Sequence, residues 1–198
     1  MQSAPVGQLA ALSELFGEAL GSCRPESVAI LGIAGGNGLE HIDPAVTHRV
    51  YGIDINPAYL EAARERFAGL PGLAGLPGLE LHCADLAEHA VPLPPVELVH
   101  AALIFEHAGT DRCLENAIDM VAPGGALSVV LQLPSSIAEG VGAGSLPSIA
   151  ALGPHFRLID PEALRQKIEG RGFRLGRSVR RPLASGKAFW MGIFSSPP

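Results

Sequence analysis

The sequence features with the clearest chemical potential are an aspartate at position 54 and a run of small residues about twenty positions before it. The run reads Gly32-Ile33-Ala34-Gly35-Gly36-Asn37-Gly38 and follows the branched apolar stretch Val28 to Ile33. Glycines there let the backbone approach a ligand closely. Leu39-Glu40-His41-Ile42 then reads as the first turn of a helix, whose unpaired N–H groups suit an anionic or polar group. Asp54 ends what reads as a second strand, beginning at Arg49. In a doubly wound α/β sheet such a position faces the ligand crevice, and a carboxylate there accepts hydrogen bonds from ribose hydroxyls. The next helix has its own cap in Asn56, with Pro57 at its first position, which leaves Asp54 free for a ligand.

The spacing argues against several other chemistries. A dinucleotide fingerprint needs G-x-G-x-x-G, but Leu39, Glu40 and His41 follow Gly38, and no lysine follows it to make a phosphate-binding P-loop. Seven histidines are present without an H-E-x-x-H motif or a Cys/His cluster, so no metal is expected. No G-x-S-x-G elbow marks a serine hydrolase. Cys23, Cys83 and Cys113 are far apart and read as buried free thiols of a cytoplasmic protein. No apolar run is long enough to span a membrane.

A frame of alternating strands and helices has to position these residues. Leu9, Leu12, Phe16 and Leu20 predict a leading helix over about 6–21, stopped by Gly21, either packing on the sheet or covering the cleft. Strands are expected at 28–33, 49–55, 80–86, 96–102, 126–133, 173–179 and 188–194. Pro44 keeps the helix after the first strand short, and Pro57 to Phe67 forms a stronger one with Leu60, Ala63 and Phe67 on one side. Leu-Pro-Gly repeats over 69–79 read as turns. A helix over 111–121 reaches a Pro123-Gly124-Gly125 turn, and a last helix begins at Asp160-Pro161. The result is a single α/β domain over 1–198: a doubly wound, mostly parallel seven-stranded sheet with a C-terminal antiparallel hairpin and helices on both faces. A small-residue-rich insertion over about 134–158 follows the fifth strand.

The Ala34-Gly35-Gly36-Asn37-Gly38 turn with Asp54 downstream resembles the first two motifs of the class I S-adenosylmethionine (SAM) dependent methyltransferases. The Pro-Gly-Gly junction and terminal hairpin extend that resemblance over nearly the whole chain. It implies a cofactor site built from Gly32, Ala34, Gly36, Asn37 and Gly38, with Asp54 and Ile55 at the ribose. It also implies Asp85 near the exocyclic amine of adenine, in addition to a capping role, and Leu86 flanking the ring. Ala101 and Ala102 would let the methionine part lie against the backbone. Glu106 and His107 are the candidate polar pair facing the methyl group, although His107 serves equally as a structural residue. The sequence departs from the family at Gly32, where a carboxylate is usual, and at Ala34, where glycine is usual.

The resemblance implies methyl transfer from SAM to a small-molecule acceptor, leaving S-adenosylhomocysteine (SAH), in a monomer or homodimer. Net charge is −6, which disfavours nucleic acid as a partner. From Arg157 onward, however, nine Lys or Arg face three Asp or Glu, which is either a solvated face with a charged sheet edge or a site near an anionic substrate. Alternatives are an RNA-modifying methyltransferase using that basic region, a non-catalytic SAM- or nucleotide-binding domain, and a nicotinamide-dependent oxidoreductase.

Overall fold

Alternate residues of the first strand, Ser27–Leu31 (β1), face opposite sides of the sheet, and all five are buried because helices cover both sides. The computed structural model describes residues 4–69, 79–134 and 156–198. Most of the turns expected over 69–79 and most of the 134–158 insertion lie outside the described residues. β1 lies between Arg49–Asp54 (β2) and Val96–Ala102 (β4), parallel to both. Leu79–Cys83 (β3) continues the parallel sheet beyond β2, and Val121–Leu133 (β5) continues it beyond β4. Ala188–Ser195 (β7) pairs antiparallel with β5, and Arg174–Pro182 (β6) forms the outer edge, giving the order β3-β2-β1-β4-β5-β7-β6. This is the expected seven-stranded sheet with its terminal hairpin.

Two apolar layers hold helices to the sheet. Helices Ala4–Cys23 (α1) and Pro57–Gly69 (α2) bury Leu15, Phe16, Ala19, Leu60, Ala63 and Phe67 against Val28, Ile30, Val50 and Leu98. On the opposite face, Phe105–Ala108 (α3), Arg112–Asp119 (α4) and Pro161–Glu169 (α5) bury Phe105, Leu114, Ile118, Leu164 and Ile168 against Ala29, Leu31, Val99 and Leu127. The α5 cap is the expected one, with Asp160 Oδ1 accepting the Glu162 N–H at 3.2 Å.

The structure corrects several expectations. The helix after the glycine turn is only a 3₁₀ turn, Leu39–His41, since Pro44 disfavours helical geometry at the residue before it. Gly21 does not stop α1. The helix runs to Cys23, and Arg24 closes it in the left-handed region (φ +46) with its N–H on Leu20 O at 2.7 Å. Pro123-Gly124-Gly125 is no simple turn before the fifth strand; β5 begins at Val121 and absorbs the three residues as a bulge between the Val96–Val121 and Leu98–Ala126 pairs. Cys113 is buried as expected, but Cys23 is half-buried and Cys83 exposed at the outer parallel edge. The basic C-terminal region is largely engaged: Arg177 and Arg181 pair with Glu18 and Glu14 of α1, Lys167 with Asp111, and Arg171 with Glu115.

Candidate functional site

After β1 the chain moves to β2 on one side, and after β4 it moves to β5 on the other. The carboxyl ends of β1 and β4 therefore part and leave a crevice. A cavity of about 800 Å³ occupies it, and Gly32, Ala34, Asn37, Asp54, Ile55, Asp85, Leu86, Ala102 and His107 all line it. Tertiary structure thus gathers residues from the ends of four strands and one short helix.

The turn after β1 is held by hydrogen bonds from beneath. Gly32 and Ile33 N–H groups both donate to Ile53 O, at 2.8 and 3.1 Å, tying it to β2. Asp54 Oδ2 accepts the Ala34 N–H at 2.9 Å, and Oδ1 accepts the Asn56 N–H at 2.9 Å. Asp54 is therefore not free of backbone duty, as its sequence context suggested. Each oxygen still has acceptor capacity left for a second donor. Asn56 is the expected cap of α2, its Oδ1 accepting the Ala58 N–H at 3.0 Å. Asp85 likewise holds its own turn, Oδ1 accepting the Ala87 N–H at 2.9 Å.

Gly36 and Gly38 serve packing below the turn and do not line the cavity. Both are left-handed (φ +75 and +96), and a Cβ at Gly36 would stand 2.7 Å from Leu39 Cδ1 and 3.3 Å from the Ala63 backbone. At Gly38 it would stand 2.9 Å from the Phe16 ring. Ala34, left-handed without being glycine (φ +48), carries strain on the cavity wall. Asn37 Nδ2 donates to Leu9 O at 2.9 Å and Glu40 accepts from both Ser13 and Arg66, so the turn is fastened to α1 and α2.

Two other expected site residues lie elsewhere. Ala101 is fully buried in the layer under α3–α5, on the sheet face opposite α1. Glu106 and His107 do not form a pair facing the cavity, because neighbouring residues of a helix point about 100° apart. His107 lines the cavity, its ring 5.3 Å from Phe156 and edge-on to it. Glu106 is buried behind it, with Oε1 accepting the Gln132 N–H at 2.8 Å and Oε2 without a partner among the described residues. Burial pushes its carboxyl up to about 7, while the Gln132 N–H pulls the other way.

Several lining residues belong to no motif, and for the leading helix the sequence left packing on the sheet and covering the cleft both open. Leu9, Leu12 and Phe16 make α1 a wall of the cavity as well as a packing helix, and Ile30, Leu103 and Ile104 add apolar surface. The periodicity of Leu9, Leu12 and Phe16 was visible, but a core face and a ligand face look alike in a helical pattern. Leu9, Ile55 and Tyr59, three of the four exposed large apolar residues among the described residues, rim the cavity. Leu103 is left-handed (φ +58) where β4 turns into α3. His100 of β4, 3% exposed, also lines the cavity; its Nδ1 is 3.1 Å from Ser128 Oγ and its ring is 4.7 Å from Phe16. Desolvation lowers its pKa to about 4, so the ring is neutral near pH 7.

Residues 28–125, which carry β1 to the Pro-Gly-Gly bulge, match the family model described as a methyltransferase domain. Over that stretch, just under half of the chain, the sequence matches a methyltransferase domain. Among curated proteins no sequence matches it. Among solved structures, this chain is similar to the N-methyltransferase NodS from Bradyrhizobium japonicum WM9, with 15% identity, 100% of each chain covered and a TM-score of 0.69. It is also similar to the magnesium protoporphyrin IX methyltransferase ChlM from Synechocystis PCC 6803, solved with bound SAH, at 16% identity, with 96% of this chain and 84% of that one covered and a TM-score of 0.72. A third is the [4+2]-cyclase SpnF, at 14% identity, 94% and 80% coverage and a TM-score of 0.69. At these identities the likeness is one of fold. Among the described residues of the chain, no group of three His, Cys, Asp or Glu side chains is placed to hold a metal ion, and no helix is long and apolar enough to cross a membrane.

Proposed function

We propose that this methyltransferase domain binds SAM in the crevice between β1 and β4 and methylates a small-molecule acceptor. The observation that carries the reading is the position of Asp54, at the carboxyl end of β2 on the cavity wall, with acceptor capacity left on both oxygens. Ribose hydroxyls are donors that fit it. Asp85 and Leu86, side by side at the next strand end, suit the amine and the ring face of adenine. Ala102 and Gly32 leave room at the strand ends for the methionine part.

When bound, SAM supplies a sulfonium-activated methyl group, so the acceptor's lone pair forms the new bond while the carbon–sulfur bond breaks and its electron pair stays on sulfur. The chain's residues therefore mainly bind, align and exclude water. Leu9, Leu12 and Phe16 of α1 close one side of the crevice with apolar surface. Where the acceptor must lose a proton, His107 on the cavity wall is the candidate base, and Glu106 is withdrawn from that role by its burial behind the wall.

The test is ligand protection. SAM and SAH should raise the melting temperature and bind in calorimetry, and NAD should do neither. Protection by NAD alone would replace the methyltransferase reading with an oxidoreductase one, and no protection by SAM or SAH would end it.

A further inference from the structure

Resting on the cofactor reading above, we propose that the methyl acceptor is an uncharged, mainly apolar molecule, and that His100 of β4 fixes it by a hydrogen bond to its one polar group. The cavity has two unlike walls. One presents Asp54 and Asp85 at the ends of the outer parallel strands. The other is made by α1 and the sheet face beneath it: Leu9, Leu12, Phe16, Ile30 and Leu103, with His100 set among them. Asn37, the remaining polar residue on that side, spends its amide on the Leu9 carbonyl.

No lysine or arginine lines this cavity. All fourteen Lys and Arg of the chain fall within the described residues, and none is on the cavity wall. An anionic acceptor would lose its hydration there without a lysine or arginine to replace it, which disfavours its binding. The nine Lys and Arg from Arg157 onward are all off this wall, and Arg177 and Arg181 among them pair with Glu18 and Glu14 of α1. The apolar wall instead fits a hydrocarbon or aromatic body.

The imidazole supplies the specificity such a wall lacks. Its Nδ1 is matched to Ser128 Oγ, whose hydroxyl can either donate or accept, so either ring tautomer is satisfied. Nε2 has no hydrogen-bond partner among the described residues and is available as donor or acceptor accordingly. A hydroxyl or amide on the acceptor is the complement. The ring itself is held in place by Phe16 and Ser128, so little freedom is lost on binding. His100 is thus a positioning residue for the acceptor.

Calorimetry on the SAH-saturated protein with three probes of one shape tests this: 1-naphthol, 1-naphthoate and 1-methylnaphthalene. Naphthol should bind at least about tenfold more tightly than naphthoate. In His100→Leu, naphthol binding should weaken by roughly five- to tenfold while methylnaphthalene stays within about twofold, and His100→Gln should restore most of the loss. Naphthoate binding as tightly as naphthol, or no binding of naphthol, overturns the uncharged acceptor; that ranking is measured on the unaltered protein and needs no variant to fold. Equal weakening of naphthol and methylnaphthalene overturns the role of His100. Failure of SAH itself to bind overturns the cofactor reading, and is seen before any probe is added.

Discussion

Asp54 Oδ2 accepts the backbone N–H of Ala34 at 2.9 Å across the mouth of the crevice. The side chain proposed to hold a ribose therefore also holds the loop that the ribose must pass. Ligand affinity and loop order are coupled through one carboxylate, because its second oxygen is shared with Asn56 in the same way.

Asp54→Ala should weaken SAH binding by more than about tenfold, since charge-assisted bonds to two ribose hydroxyls are lost. It should also lower stability by about 1–3 kcal/mol through the two backbone N–H groups left without their acceptor. Calorimetry and denaturant titration read the two effects separately. Unchanged affinity in a folded variant would remove Asp54 from the site.

Ala34→Gly probes the strain at φ +48. Relieving a left-handed alanine gains about 1–2 kcal/mol, and the added freedom of the unfolded chain takes back about 0.4–1. A net stabilisation of roughly 0.5–1 kcal/mol is expected, visible as a higher denaturation midpoint. A loss of stability would mean that the methyl group is a packing contact.

His100 and Glu106 predict opposite pH dependences. The His100 pKa is depressed to about 4, so the unfolded chain binds the extra proton between about 4 and 6.5, and stability is lost as pH falls through that window. The Glu106 pKa is raised to about 7, so the native state keeps a proton the unfolded chain has released, and stability is lost as pH rises from 4.5 to 7. Each effect is on the order of 3 kcal/mol, and between 4.5 and 6.5 their slopes nearly cancel. Denaturant titrations should find Glu106→Gln gaining stability with rising pH over that range and His100→Leu losing it. Parallel profiles for the two variants would refute the assignment.

Two variants compare how α1 is held. Phe16, 2% exposed between Gly38 and His100, should cost about 3–5 kcal/mol as Phe16→Ala. Arg181→Ala removes ion pairs to Glu14 and Glu18 near the surface and should cost less than about 1 kcal/mol. Melting curves rank them, and a larger effect of Arg181 would make α1 an electrostatically held element.

The sequence by itself determined the order of strands and helices, the doubly wound class, and the strand-end positions of Asp54 and Asp85. Those follow from apolar periods and from cap and glycine chemistry, which act between near neighbours. It could not separate the two uses of glycine in the turn: Gly36 and Gly38 answer to Ala63, Leu39 and Phe16, contacts that exist only once α1 and α2 are packed. Nor could it place Glu106 and His107, adjacent in the chain but turned about 100° apart on the helix into a buried acid and a cavity-wall imidazole. His100 carries no motif, and becomes part of a site only because β5 brings Ser128 and α1 brings Phe16 to its ring. Local pattern sets which segments form, whereas burial and the partners of a polar atom depend on contacts far apart in the chain, and for this protein those contacts decided which residues face the cavity.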